Sequence, residues 1–201
     1  MTREIGGDEN LSLQKLQNGD RDEFARLVER YSDQIYRLAM KMLANSQDAE
    51  DVLQETFLKA FRSIHNFKGF SSINTWLYRI AINEALILIR KRKPDQMQVD
   101  LDADEDDDQI PMQIVDWEPM PEDQLMSTEN IALLNRLVQS LSPALRVVFL
   151  LRDVQEMSVK ETAEVLGITE ISVKTRLSRA RFKLRQGLSL YFGKDQTLKG
   201  R

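Results

Sequence analysis

Apolar residues recur at steps of three and four along most of the chain, and no stretch shows the two-residue alternation of a strand. Phe24, Leu27, Val28, Tyr31, Ile35, Leu38, Ala39 and Met42 trace one helical stripe, with Asp20 and Glu23 as capping residues at its start. Asn45 and Ser46 interrupt it. A second stripe follows through Ala49, Val52, Leu53, Phe57, Ala60, Phe61 and Ile64, and the opposite face carries Asp48, Asp51, Gln54, Glu55 and Lys59. Residues 65–72 read as a loop. A third helix is predicted over 73–90, with Ile73, Trp76, Leu77, Ile80, Ala81, Ala85 and Leu88 inward. It ends in Arg90, Lys91, Arg92 and Lys93, directly before Pro94, which stops it.

Helical periodicity returns at Ser127. Ile131, Leu134, Leu137 and Val138 make one amphipathic helix. Ser142 then Pro143 has the order of a helix start, with Leu145, Val148, Phe149 and Leu151 behind it. Ser158 and Glu161 have the spacing of a capping box, so another helix begins at Val159. Ala163 and Leu166 face inward, Gly167 permits the left-handed turn that ends the helix, and Thr169 caps the next. On that last helix Val173, Leu177, Ala180, Leu184 and Leu188 form the apolar face. Thr175, Ser178 and Arg179 point away from it, and Lys174, Arg176 and Arg181 flank it. The pattern is a helix-turn-helix whose second helix carries a basic stripe, suited to the DNA major groove. Phe182 sits on the polar face and fits no part of this pattern.

The fold class is therefore all-α, in two small helical domains joined by a flexible acidic linker, the second containing the helix-turn-helix. The 201 residues include 8 Gly and 5 Pro, few enough to favour helices. With no Cys and one His, thiol nucleophiles, disulfides and zinc clusters are excluded, and neither catalytic nor metal-binding residues nor a cofactor are expected. The N-terminus lacks the apolar run of a signal peptide, so a cytoplasmic protein without membrane insertion is the expectation.

A net charge of −4 looks unsuited to DNA until it is divided along the chain. The N-terminal segment 1–18 is net −1, residues 19–93 are +3, residues 94–126 are −12, residues 127–193 are +4, and the tail 194–201 is +2. Two basic domains flank a strap that has no Lys or Arg. Such a strap buries too little apolar surface to order itself.

Three stretches then carry a resemblance. Residues 48–61 (Asp-Ala-Glu-Asp-Val-Leu-Gln-Glu-Thr-Phe-Leu-Lys-Ala-Phe) come first. Residues 75–83 (Thr-Trp-Leu-Tyr-Arg-Ile-Ala-Ile-Asn) follow. Leu141-Ser-Pro with Arg146 then precedes the capped hairpin. Together they resemble bacterial sigma factors of the extracytoplasmic-function group, from about residue 19 to 190. The resemblance implies a promoter-specificity subunit without enzymatic activity or a small-molecule substrate. It would bind core RNA polymerase through clamp and flap, recognise promoter −10 and −35 elements, promote melting, and be held by an anti-sigma factor. It places polymerase contacts at Asp48, Asp51, Gln54, Glu55 and Lys59. The −10 contacts fall at Lys68, Phe70, Ser71, Ser72, Asn83 and Arg90, and the −35 contacts at Lys174, Thr175, Arg176, Arg179 and Arg181. Ile171 stands where the family commonly has Gly.

Each residue set also has a plainer reading. The polar face of 48–59 suits a solvated helix. Phe67, Phe70, Trp76 and Tyr78 are able to stack on unpaired bases, but Trp76 lies on the apolar stripe and suits the core. The basic run 90–93 suits a helix C-terminus as well as phosphate. The acidic strap suits a tether or a polyanion in a channel built for RNA. At the level of the whole chain, the other reading is a conventional helix-turn-helix repressor or activator, forming a homodimer on a palindromic site.

Overall fold

A computed structural model describes residues 11–92 and 128–198. The N-terminal segment up to residue 10, the acidic strap and the last three residues lie outside the described residues, and so do the expectations placed on them. The regular structure of the described residues is all helical, in two compact units.

The first unit opens with a short helix, α1 (Leu13–Gln17), capped by Ser12. Gly19 takes a left-handed φ of 77° and turns the chain into α2 (Arg21–Leu43). Asp20 caps α2 as expected, accepting from the Glu23 amide at 3.0 Å. Ala44, also left-handed, and Asn45 make the two-residue turn into α3 (Ser46–Ser63), where Asn45 accepts from the Asp48 amide. A 3₁₀ turn (Ile64–Asn66) leads through the loop into α4 (Ile73–Arg92). α2, α3 and α4 pack on one another around Leu27, Ile35, Leu38, Val52, Leu77 and Ile82, each no more than 1% exposed.

The stripe on α4 is wider than its periodicity suggests. Thr75, Tyr78, Ile82 and Leu86 are buried along with Ile73, Leu77, Ala81 and Ala85, whereas Trp76, Ile80 and Leu88 are only half-buried. α4 packs against both α2 and α3, so two adjacent stripes are covered. Phe61, expected inward, is 45% exposed, with its ring edge-on to Phe24 at 5.0 Å.

Residues 128–198 hold α5 (Thr128–Ser140), α6 (Pro143–Phe149), a π-helical turn (Leu150–Val154), α7 (Val159–Leu166) and α8 (Glu170–Leu198). α5 and α6 pack against α8. Leu133 and Val138 are the buried residues of α5, while Ile131, expected inward, is 54% exposed. α5 and α8 approach so closely that a Cβ on Gly187 would lie 2.5 Å from a Leu137 methyl. The five apolar positions expected on α8, from Val173 to Leu188, are all buried.

Arg146 supplies the joint between α5 and α6. It is 9% exposed and donates to the carbonyls of Val138 (3.2 Å), Gln139 and Leu141 (3.0 Å). These acceptors lie where α5 ends, a place that leaves carbonyls without helical partners.

Candidate functional site

Three surfaces collect the residues expected to make contacts. The first is an open groove of about 500 Å³ between α3 and α4. Asp51, Gln54 and Glu55 line one wall and are exposed, as three-and-four spacing on α3 requires. Ile87, Leu88 and Lys91 of α4 form the other wall. Lys59 crosses between the walls and donates to Glu84 at 2.5 Å. Asp48 behaves differently from the rest of its face. It is only 9% exposed and ion-paired to Arg92, so it ties the start of α3 to the end of α4. A carboxylate in the first turn also suits the helix dipole. The α4 wall is not legible in the sequence, where Leu88 reads as part of the inward stripe and Lys91 as part of the basic run.

The second surface is the loop before α4. Phe70 is 89% exposed, and Lys68 is exposed beside it. Phe67, which opens the loop, points the other way. It is 7% exposed and packs on Trp76 with ring centroids 5.0 Å apart, so it anchors the loop and is not free to stack on a base. Ser72 caps α4, its hydroxyl accepting from the Thr75 amide at 3.0 Å. Ser71 is half-exposed. Asn83 and Arg90 are exposed seven residues apart, two turns along one side of α4. Tyr78 leaves the set of base-stacking candidates. It is 2% exposed, its hydroxyl lies 3.4 Å from Gln34 Oε1, and burial pushes its pKa up to about 12.

The third surface is the start of α8. The capping box forms as spaced. Ser158 Oγ accepts from the Glu161 amide at 3.1 Å, and Glu161 accepts from the Ser158 amide at 2.8 Å. Gly167 takes φ 68°, and Thr169 Oγ1 accepts from the Ser172 amide. Lys174 and Ser178 are exposed, and Thr175 and Arg179 half-exposed. Ile171 projects from the first turn, 71% exposed.

Two arginines expected on this surface are held by the fold, one buried and the other half-exposed and ion-paired. Arg176 is 5% exposed because it lies one turn from Val173 and beside Leu177, on the covered side of the helix. Arg181 makes a bidentate pair with Asp153 (2.7 and 2.9 Å), which fastens α8 to the π-helical turn. The Asp153 hydrogen bond also raises the Arg181 pKa. Arg–carboxylate forks of this kind fix geometry as well as adding energy. Among the described residues, no helix is long and apolar enough to cross a membrane.

Comparison with known proteins gives the family. The family described as Sigma-70 region 2 matches residues 27–94, and Sigma-70, region 4 matches residues 131–184. The chain is similar to the ECF RNA polymerase sigma factor SigW of Bacillus subtilis. The two are 37% identical over 88% of this chain and 94% of that one. It is also similar to the RNA polymerase sigma-H factor of Pseudomonas aeruginosa, at 32% identity over 84% of this chain and 88% of the other. Among solved structures, CnrH in complex with the cytosolic domain of CnrY superposes with a TM-score of 0.65 at 24% identity, covering 89% of this chain and 95% of that one. The sigma factor RpoE with the anti-sigma factor NepR from Bartonella quintana gives 0.62 at 23%, covering 84% and 98%. These two likenesses concern the fold. The two matched regions and the sigma-factor relatives converge on one assignment: the chain belongs to the extracytoplasmic-function group of the sigma-70 family, alternative sigma factors that direct RNA polymerase to initiate transcription.

Proposed function

We propose that the three surfaces divide the work of initiation. The α3–α4 groove docks the polymerase clamp, the loop around Phe70 receives an unpaired −10 base, and the exposed start of α8 reads the −35 element. The domain limits follow, with residues 19–93 serving clamp and −10 and residues 127–193 serving −35 and flap. The protein works in the cytoplasm with polymerase and makes or breaks no covalent bond. It acts by binding unpaired bases better than paired ones. Polymerase holds the two weak readers together, so their affinities combine through effective concentration.

The observation that carries this reading is the α3 face. Asp51, Gln54 and Glu55 stay exposed beside a groove also lined by Val52, Ile87 and Leu88, where a basic partner helix finds both carboxylates and apolar area. Within the groove Asp51, Gln54 and Glu55 are the contacts. Asp48 and Lys59 act by bracing its walls. On α8, Lys174, Thr175 and Arg179 are the readers, and Arg176 and Arg181 set their frame. Because the neighbouring folds include RpoE in complex with an anti-sigma factor, an inhibitor that covers both units is the expected regulatory partner.

Replacing Gln54 and Glu55 together with Ala should weaken binding to core polymerase about tenfold or more. The circular dichroism spectrum should be unchanged, because both side chains are exposed. Unaltered affinity in a titration with core enzyme would remove this face from the interface.

A further inference from the structure

The first turns of the first unit reach across sequence to the base-capture loop. Gln17, the last residue of α1, donates from Nε2 to the carbonyl of Phe67 at 2.7 Å, fifty residues away. The rest of α1 is built to hold that amide in place. Leu16 beside it is 1% exposed. Glu23, itself 1% exposed, accepts from the Ser12 amide at 2.6 Å and pairs with Arg26. The left-handed Gly19 then lets the amides of Gly19 and Asp20 close the end of α1 on Leu16 and Lys15.

On the loop side, Phe67 is fixed twice, by its ring on Trp76 and by its carbonyl on Gln17. Three residues later Phe70 stands 89% exposed. A short loop held rigidly at its root presents its tip at a defined position, and ordering is then not charged against binding.

We propose that Gln17 is a positioning residue for −10 recognition: α1 clips the root of the 67–72 loop so that Phe70 and its neighbours are preorganised for an unpaired base. This rests on the assignment of that loop to −10 capture. Gln17 touches no DNA and acts through the Phe67 carbonyl.

The test uses full-length protein in holoenzyme, on a promoter identified by mapping its transcript starts. Two templates are compared, one duplex and one already unpaired across the −10 element. Gln17→Glu keeps the side-chain shape and replaces the donor with a second acceptor. Gln17→Lys keeps a donor. Gln17→Glu should lower affinity for the unpaired template about three- to tenfold, the range of one lost hydrogen bond. Core-polymerase affinity should stay at the parent value, and Gln17→Lys should restore much of the loss.

Phe70→Ala serves as the reference. If Phe70→Ala loses unpaired-template affinity and Gln17→Glu does not, the positioning role is overturned. If neither loses it, the −10 assignment of the loop fails and the proposal with it. If Gln17→Glu weakens core binding as much as template binding, Gln17 holds the unit together generally and the proposal is wrong.

Discussion

Single residues carry two kinds of duty in this molecule, and their chemistry alone does not tell them apart. Lys174 and Arg176 both sit in the basic stripe of α8, yet one is exposed and the other is 5% exposed. Two positions along a helix turn a side chain through about 200°, and a long aliphatic stem can lie along an apolar surface. Asp48 and Arg181 likewise have the right type for an interface but are held by Arg92 and Asp153. None of these partners lies near its mate in sequence, so the pairings were illegible in the sequence. Arg146 is the strongest such case. It looked like one basic residue in a motif and is the cap that joins α5 to α6. Desolvation lowers its pKa, and three carbonyls answer for the buried charge. Arg146→Met, which keeps the stem, should destabilise the protein by about 1–3 kcal/mol through carbonyls left without donors. Urea unfolding followed by circular dichroism measures it, and an unchanged midpoint would refute the capping role.

Helix starts were read most accurately, because caps are local. Asp20, Ser158 and Thr169, expected as caps, each accept from an amide three residues on. So do Asn45 and Ser72, which the sequence did not single out as caps, whereas Ser142 before Pro143 makes no side-chain cap bond. The capping box of α7 also sets a pH response. The Ser158 hydroxyl, then its amide, hold the Glu161 carboxyl below its ordinary value, with Arg152 adding a smaller pull in the same direction. A depressed pKa means that the stabilisation is present in full above the ordinary glutamate range. It is lost as pH falls through the lowered value. The protection of the amides at the start of α7, taken relative to their intrinsic exchange rate at each pH, should therefore fall on acidification, and Glu161→Gln should flatten that dependence. If both proteins respond identically, the box contributes nothing that titrates. Helix faces were read less well than starts. Periodicity gives the centre of a stripe but not its width, and width depends on how many neighbours a helix meets. α4 meets two, so Tyr78 and Ile82 disappear into the core, and a tyrosine that looked able to stack on bases is sealed away.

Across the whole molecule, the two-unit layout was legible from charge blocks and from Pro94 alone, whereas the root of the Phe70 loop depends on a bond spanning fifty residues. The charge blocks make a prediction of their own. Phosphate attraction dominates protein–DNA affinity and is screened by salt. Twelve acidic residues tethered beside a second domain of net +4 should compete with DNA for its basic face. Replacing the acidic residues between Asp102 and Asp108 with Asn and Ser should raise the free chain's affinity for promoter duplex and steepen its decline with salt. A band-shift series at several ionic strengths decides this. Parent and variant curves that coincide would reduce the strap to a spacer.

The 29 residues of α8 run without a break, which makes a rod roughly 43 Å long. Ile171, Lys174 and Ser178 are exposed near one end, and Leu190 and Tyr191 are exposed well toward the other. A rod is a lever. Because α5 and α6 pack along it, tilting it by about 10° about its far end carries those helices with it and swings the near end through on the order of 7 Å, about two base-pair steps. Whatever grips Leu190 and Tyr191 would thus aim the other end along the groove without touching a nucleotide.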